Sequence, residues 1–231
     1  EPVMGAGGVI PPPKSYFEKI QPILQEFDIL FVVDEVICGF GRTGNMFGTE
    51  TYNLKPDMIT VAKALSSGYL PISALMVNEE IFQVLVSESE KIGIFGHGFT
   101  YGGHPVPCSV ALETLRIYEE TQIIAQIKEL SAILQKGLKR FTTHELVGEV
   151  RGVGLIGALE LVKDKSTKQP FDMPKGVGAY LMKRCQENGL ITRALGDTLA
   201  FAPPLVINSD QINKMLEIVK TSLDETVEWL Q

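Results

Sequence analysis

Ile29-Leu-Phe-Val-Val-Asp34-Glu35 is a run of five apolar residues that ends on two carboxylates. An unbroken apolar stretch this short reads as a β-strand buried on both faces, the form strands take in parallel sheets covered by helices. In such folds ligands bind outside the carboxyl ends of the strands, so an aspartate standing there is a candidate ligand group. Its plain alternatives are a helix cap and a solvated edge. Met58-Ile-Thr-Val61 and Ile72-Ser-Ala-Leu-Met-Val77 read as two more short buried strands. Upstream, Tyr16, Phe17, Ile20, Ile23, Leu24 and Phe27 mark a helix after Pro11-Pro12-Pro13, with a kink expected at Pro22.

Downstream, Cys108, Ala111, Leu112, Leu115 and Tyr118 recur at helical spacing, and so do Ile123, Ile127, Leu130, Leu134, Leu138 and Phe141. The texture then changes. Residues 150–162 read as one or two strands, Val177 to Cys185 as a helix stopped by Gly189, and Thr198 to Phe201 as a last strand. Ile212, Met215, Leu216, Val219, Leu223, Val227 and Leu230 close the chain as an amphipathic helix. The expectation is an α/β domain over 1–120, a connecting helix over 121–145, and a small α+β domain over 146–231.

Composition excludes several classes of function. Hydrophobic residues make up 45% and charged residues 21% of the 231, so the chain is not intrinsically disordered. A net charge of −7 without Lys/Arg blocks argues against nucleic acid and anionic membranes as partners. No apolar run approaches the roughly 18 residues a membrane span needs. The three cysteines form no CxxC pair, which suggests a reducing, cytoplasmic setting and ordinary packing roles, with no metal site. Glu1-Pro-Val-Met-Gly-Ala-Gly-Gly has no signal-peptide pattern and reads as the middle of a longer protein.

Two stretches match G-x-G-x-x-G, Gly39 to Gly44 and Gly152 to Gly157. The dinucleotide fingerprint requires glycines that follow a strand and open a helix. The second runs into Ala-Leu-Glu-Leu, which is strand-like, and the first into a poor helix start, so a nucleotide-binding module is disfavoured. Asp34-Glu35 after an apolar strand is also the pattern of a magnesium-binding strand, but the phosphate loop that reading needs has no match in the chain.

Lys63 changes the weighting. It follows the strand Met58–Val61 among small and apolar neighbours and precedes Ser-Ser-Gly68. Most lysines are solvated surface charges, but one placed here is expected to face a cleft. Desolvation would favour its neutral, nucleophilic amine. A strand-end lysine plus a strand-end aspartate is what pyridoxal phosphate asks for, the amine for a Schiff base and the carboxylate for the pyridinium nitrogen.

At this point the chain resembles a known family. Phe31-Val-Val-Asp34-Glu-Val36-Ile-Cys-Gly-Phe-Gly-Arg-Thr-Gly44 and Lys55-Pro-Asp-Met-Ile-Thr-Val-Ala-Lys63-Ala-Leu-Ser-Ser-Gly-Tyr-Leu-Pro71 resemble class III (ω-amino acid) pyridoxal-phosphate aminotransferases. His97-Gly-Phe-Thr100-Tyr-Gly-Gly-His-Pro105, Arg193-Ala-Leu-Gly-Asp197 and Ala202-Pro-Pro-Leu205 continue the match in order, from Glu1 to the last helix. The resemblance implies part of a fold-type-I transferase: the C-terminal part of the large α/β domain and a smaller C-terminal α+β domain, without the family's N-terminal part. It implies that Lys63 carries the cofactor as a Schiff base and shuttles a proton, that Asp34 pairs with the pyridinium nitrogen, and that Val36, on the same strand face as Asp34, packs on the ring. It further implies that Thr100 bonds the cofactor phosphate of a neighbouring subunit, which makes the enzyme a homodimer with shared active sites. The plain alternative for Thr100 is a cap on the helix near Pro105. Arg193 resembles the mobile arginine that binds the acceptor carboxylate, against the alternative of a solvated arginine, and Glu1 matches a glutamate near the substrate. On this reading the glycines at 39–44 form a cofactor-side turn.

The implied reaction moves an amino group from an ω-amino acid or amine to a 2-oxo acid. The branch that uses 2-oxoglutarate has an arginine in the final strand just before the proline. Leu199-Ala-Phe-Ala-Pro-Pro has none, which favours pyruvate. An aminomutase, a decarboxylase or a non-catalytic fragment lacking part of the cofactor site are the alternatives, because the lysine and aspartate are common to all these enzymes and fold alone does not set function.

Overall fold

The computed structural model describes residues 1–231 apart from the Met173 side chain. Its elements run α1 (Tyr16–Glu26), β1 (Val32–Asp34), α2 (Gly48–Thr51), β2 (Met58–Val61), β3 (Ala74–Val77), α3 (Glu79–Ile92), α4 (Pro105–Thr121), α5 (Ile123–Lys139), β4 (Val147–Val153), β5 (Ile156–Leu161), α6 (Val177–Glu187), β6 (Arg193–Leu195), β7 (Thr198–Phe201) and α7 (Ser209–Leu230). They form two compact units. The first holds Glu1–Pro2, Pro13–Phe40 and Phe47–Gln122; the second holds Val3–Pro12, Gly41–Met46 and Ile123–Gln231.

The sheet of the first unit has the order β1-β2-β3. β1 and β2 are parallel, with Val32 opposite Met58 and Asp34 opposite Thr60. β3 joins β2 antiparallel. The strand expected at 29–33 is displaced to Val32–Asp34, and Asp57 explains where it starts. The Asp57 carboxylate accepts the Phe31 N–H at 2.7 Å, so that amide is withdrawn from the ladder one residue before β1. The other carboxylate oxygen accepts from the Asn78 side chain, which ties the exit of β3 to the same residue.

The residues of this chain cover β1 on one face. Val33 is 2% exposed, but Val32 is 49% exposed and the preceding Leu30 59%. Ile72–Val77 likewise pairs only over Ala74–Val77, because β2 offers four residues to pair with, and Leu75 and Met76 stay exposed. α1 runs through Pro22 as one helix. Helix α3 has no counterpart among the elements expected above, although Ile81, Phe82, Leu85 and Val86 recur at helical spacing along it. Its start is nonetheless written in Asn78-Glu79-Glu80: the Asn78 side chain accepts the Ile81 N–H at 2.9 Å, and two acids sit in the first turn.

The second unit packs α5, α6 and α7 with an antiparallel sheet of order β4-β5-β7-β6. Ile127, Leu134, Leu138, Leu159, Leu181, Leu199, Ile212 and Leu223 form its water-free centre. Arg151 donates to the carbonyls of Gly8 and Val9, and Arg42 donates to those of Leu155 and Pro203. These bonds fasten two segments distant in sequence, which chain order alone does not convey. α7 opens with a reciprocal cap between Asn208 and Gln211. Among the described residues no helix is long and apolar enough to cross a membrane.

Where α6 meets the β6–β7 turn, the packing leaves no room for a side chain. A Cβ on Gly178 would lie 2.1 Å from the Gly196 carbonyl oxygen, and the Gly178 N–H donates to the Asp197 carboxylate at 2.8 Å. Gly178→Ala is expected to lower stability by about 1–3 kcal/mol through overpacking against backbone. Urea denaturation of the full-length protein measures this, and an unchanged midpoint would contradict the contact.

Candidate active site

The register of β1 against β2 brings two reactive side chains to one edge of the sheet. Asp34 is the last residue of β1 and lies opposite Thr60. Three residues past Thr60, Lys63 opens a 3₁₀ turn, Lys63–Ser66, with its own φ at 43°. A non-glycine residue in left-handed backbone is strained, of order 1–3 kcal/mol, and persists where neighbours over-determine it. Here the Gly68 N–H donates to the Lys63 carbonyl at 3.1 Å, the Ser66 hydroxyl donates to the Leu70 carbonyl at 2.6 Å, and Leu65 and Ser66 are buried. The turn buries Leu65 and Ser66 and leaves Lys63 as its exposed residue.

Asp34 is also exposed, and one of its oxygens is already oriented. Oδ1 accepts the Val36 N–H at 2.9 Å, an Asx turn that leaves the other oxygen open. Val36 therefore does not share a strand face with Asp34. The strand stops at Asp34, and the half-buried Val36 lies in the turn that follows. Its backbone steers the carboxylate.

Glu35 is a residue that the sequence reading misses, although alternation along a strand puts consecutive side chains on opposite faces. Its side chain is fully buried. One carboxylate oxygen accepts the Gly48 N–H at 2.9 Å and the other the Thr49 N–H at 2.6 Å, at the start of α2. The Glu35 N–H in turn donates to the Thr60 carbonyl at 2.9 Å. Burial pushes the Glu35 carboxyl above the ordinary range, and the Gly48 and Thr49 amides pull the other way without cancelling it. Of the two carboxylates that end the strand, one is exposed and the other anchors the loop that follows.

Thr100 lies exposed in the loop before α4. It is not the cap of that helix, because the His104 side chain fills the position by accepting the Val106 N–H at 3.2 Å. Arg193 is the first residue of β6 in the second unit, exposed and opposite Ala200. Glu1 is exposed and belongs to the first unit. The structure thus brings Asp34, Val36 and Lys63 to one edge, while Thr100 stands in a separate loop and Arg193 in the other unit.

Neither glycine motif opens a helix. A Cβ on Gly41 would meet the Ile127 side chain at 2.7 Å, and α2, the next helix, starts only at Gly48 and has four residues. Gly152 and Gly157 pair across the β4–β5 hairpin. These glycines serve packing and turning. Among the described residues no group of His, Cys, Asp or Glu could hold a metal ion.

A primary amine and a carboxylate with one open oxygen, both exposed at the carboxyl edge of adjacent parallel strands, fit an aldehyde cofactor with a basic ring nitrogen. Thr60 adds a buried side-chain oxygen that has no hydrogen-bond partner among the described residues. A family model described as aminotransferase class-III matches residues 1–223.

The chain belongs to the class-III aminotransferases. Curated relatives include gamma aminobutyrate transaminase 3, chloroplastic, of Solanum lycopersicum, 52% identical over 98% of this chain and 44% of its own length. Gamma-aminobutyrate transaminase 1, mitochondrial, of Oryza sativa is 51% identical over 99% of this chain and 44% of its own. Among solved structures, a transaminase with L-alanine superposes with a TM-score of 0.97 at 51% identity, over 100% of this chain and 54% of that one. The omega transaminase of Pseudomonas jessenii in complex with PMP gives 0.96 at 48% identity, over 99% of this chain and 51% of that one. The chain spans about half the length of the relatives it matches. The class-III aminotransferases are pyridoxal-phosphate enzymes, and the residues at the β1–β2 edge are of the kind that would hold this group.

The anchoring role of Glu35 has a pH signature. A carboxyl raised on folding contributes stability that is fully present below its unfolded value and is lost as pH rises through the folded one. The stability of wild type relative to Glu35→Gln should therefore decline from about pH 4.5 upward and level off above the raised value. Urea denaturation of both proteins across that range measures it, and a difference that stayed flat or rose would contradict the burial of this carboxyl.

Proposed function

We propose that the full-length protein is a pyridoxal-phosphate-dependent aminotransferase that moves the amino group of an ω-amino acid or amine to a 2-oxo acid, pyruvate in preference to 2-oxoglutarate. The observation that carries this reading is the placement of Lys63 and Asp34 on adjacent strand ends of one parallel pair. The bound cofactor would supply a carbonyl carbon for the amino group and a ring that takes up the electron pair released at the substrate carbon.

The roles of the residues follow from their chemistry. Lys63 Nζ would hold the cofactor and would move the proton at the substrate carbon. The open oxygen of Asp34 holds a proton on the ring nitrogen, since a carboxylate beside a cationic ring favours the charged form of both. Val36 packs against the ring while its N–H keeps the carboxylate aimed. Thr100 donates to the phosphate held by a neighbouring subunit, which makes the working unit a homodimer with shared sites. Arg193 supplies a planar fork for the acceptor carboxylate and turns away for an uncharged amine. Glu1 lies near the substrate.

The names of the plant relatives support a 4-aminobutyrate-like donor. The acceptor reading is supported by β7 and the residues after it, which contain no arginine, and by the neighbouring structure with L-alanine, the amino counterpart of pyruvate. Three free cysteines suit a reducing, cytoplasmic setting.

In the full-length enzyme Lys63→Ala should abolish turnover, and Asp34→Asn should lower the rate by several orders of magnitude with a modest loss of cofactor. An Asp34→Asn variant with near-normal steady-state activity would remove Asp34 from the mechanism. Arg193→Ala separates the two half-reactions. A charge-assisted pair of about 1.5–3 kcal/mol lost from the acceptor side corresponds to a roughly 10–150-fold rise in the apparent constant for pyruvate. The half-reaction with an uncharged amine never forms that pair and should stay intact. Single-turnover measurements of each half test this, and equal losses in both would make Arg193 structural.

A further inference from the structure

We propose that Thr60 is a positioning residue for Asp34: its hydroxyl donates to the Asp34 carboxylate and helps aim the open oxygen at the ring nitrogen of the cofactor. This inference rests on the reading of the site given above. Thr60 Oγ1 is buried and has no hydrogen-bond partner among the described residues. Such a side chain is unusual in a native protein, where nearly all buried polar atoms are satisfied. The backbone carbonyl of Thr60 is occupied by the Glu35 N–H, so the hydroxyl is the group left over.

The ladder says where a partner can come from. Directly opposed residues in a sheet project from the same face, and neighbouring strands lie about 4.8 Å apart, within reach of a short polar side chain. Thr60 is opposite Asp34 on one side and Leu75 on the other. Leu75 offers no acceptor. Asp34 offers a carboxylate with room for further donors beyond the single N–H of Val36.

The chemistry has a consistent sign. Hydrogen bonds donated to a carboxylate favour its charged form, and the charged form is the one that keeps the ring nitrogen protonated. Valine has the same shape, suits a strand at least as well and would bury no orphaned oxygen. A hydroxyl at this place is therefore explained by the carboxylate across the ladder.

The test uses the full-length protein and four variants: Thr60→Val, Thr60→Ser, Asp34→Asn and the Thr60→Val/Asp34→Asn double. The readouts are the dissociation constant of pyridoxal phosphate by absorbance titration and the circular dichroism of the bound cofactor band, which reports ring orientation. Thr60→Val should weaken binding roughly 5–10-fold, the worth of one hydrogen bond, and diminish the dichroic band without lowering the thermal midpoint. Thr60→Ser should restore both. In the Asp34→Asn background Thr60→Val should add less than a factor of about two, because the two residues act as one unit. A Thr60→Val variant that binds and orients the cofactor as wild type does would overturn the inference while leaving the aminotransferase reading in place. So would a Thr60→Val loss as large in the Asp34→Asn background as in the wild type. A wild-type protein that takes up no pyridoxal phosphate would overturn both.

Discussion

Asp34 faces Thr60 across a parallel ladder, and that register sets where Asp34 and Lys63 stand. A parallel pair sends both strands out at the same edge, so the residues that follow each strand become neighbours without being close in sequence. One strand delivers a carboxylate and the other a lysine three residues past Thr60. A slip of one residue would turn Asp34 to the opposite face and bring the buried Glu35 out in its place. The register is held from both ends. Asp57 takes the amide that precedes β1, and Glu35 closes the exit with two backbone N–H groups of the next segment and the Thr60 carbonyl.

The two consecutive acids at the strand end divide the work that a site requires. A carboxylate can act on a ligand only if it is exposed and oriented, and it can anchor a loop only if it is buried and satisfied. Alternation along the strand assigns one property to each. Asp34 keeps an open oxygen while Val36 steers the other, and Glu35 offsets part of its burial cost through the Gly48 and Thr49 amides. The left-handed backbone at Lys63 adds a second local constraint, held by the Gly68 N–H and the Ser66 hydroxyl.

Much of this is legible in the sequence because it rests on local signals. The apolar run into Asp34, the placement of Lys63 after a short strand, the periodicity of α5 and α7 and the glycine stop of α6 all read correctly in kind. What is not legible depends on pairing. β1 begins at Val32 because a side chain distant in sequence captures the Phe31 amide, and nothing in the apolar run announces that. Val36 sits in a turn because the ladder ends at Asp34. A five-residue apolar run also contains no record of which of its faces other elements cover. Helix α3 is absent from the expectation although two local signals mark it, the helical spacing of Ile81, Phe82, Leu85 and Val86 and the cap at Asn78. Thr60 stands in the sequence only as part of a motif, since an orphaned hydroxyl is a property of packing.

Everything proposed for this site depends on the β1–β2 edge being where the cofactor attaches, with Lys63 as the attachment point. Borohydride reduction of the full-length protein loaded with pyridoxal phosphate, followed by peptide mapping, tests this most directly. The predicted result is one stable adduct, on the peptide that contains Lys63. An adduct on another lysine, or none at all, would contradict it.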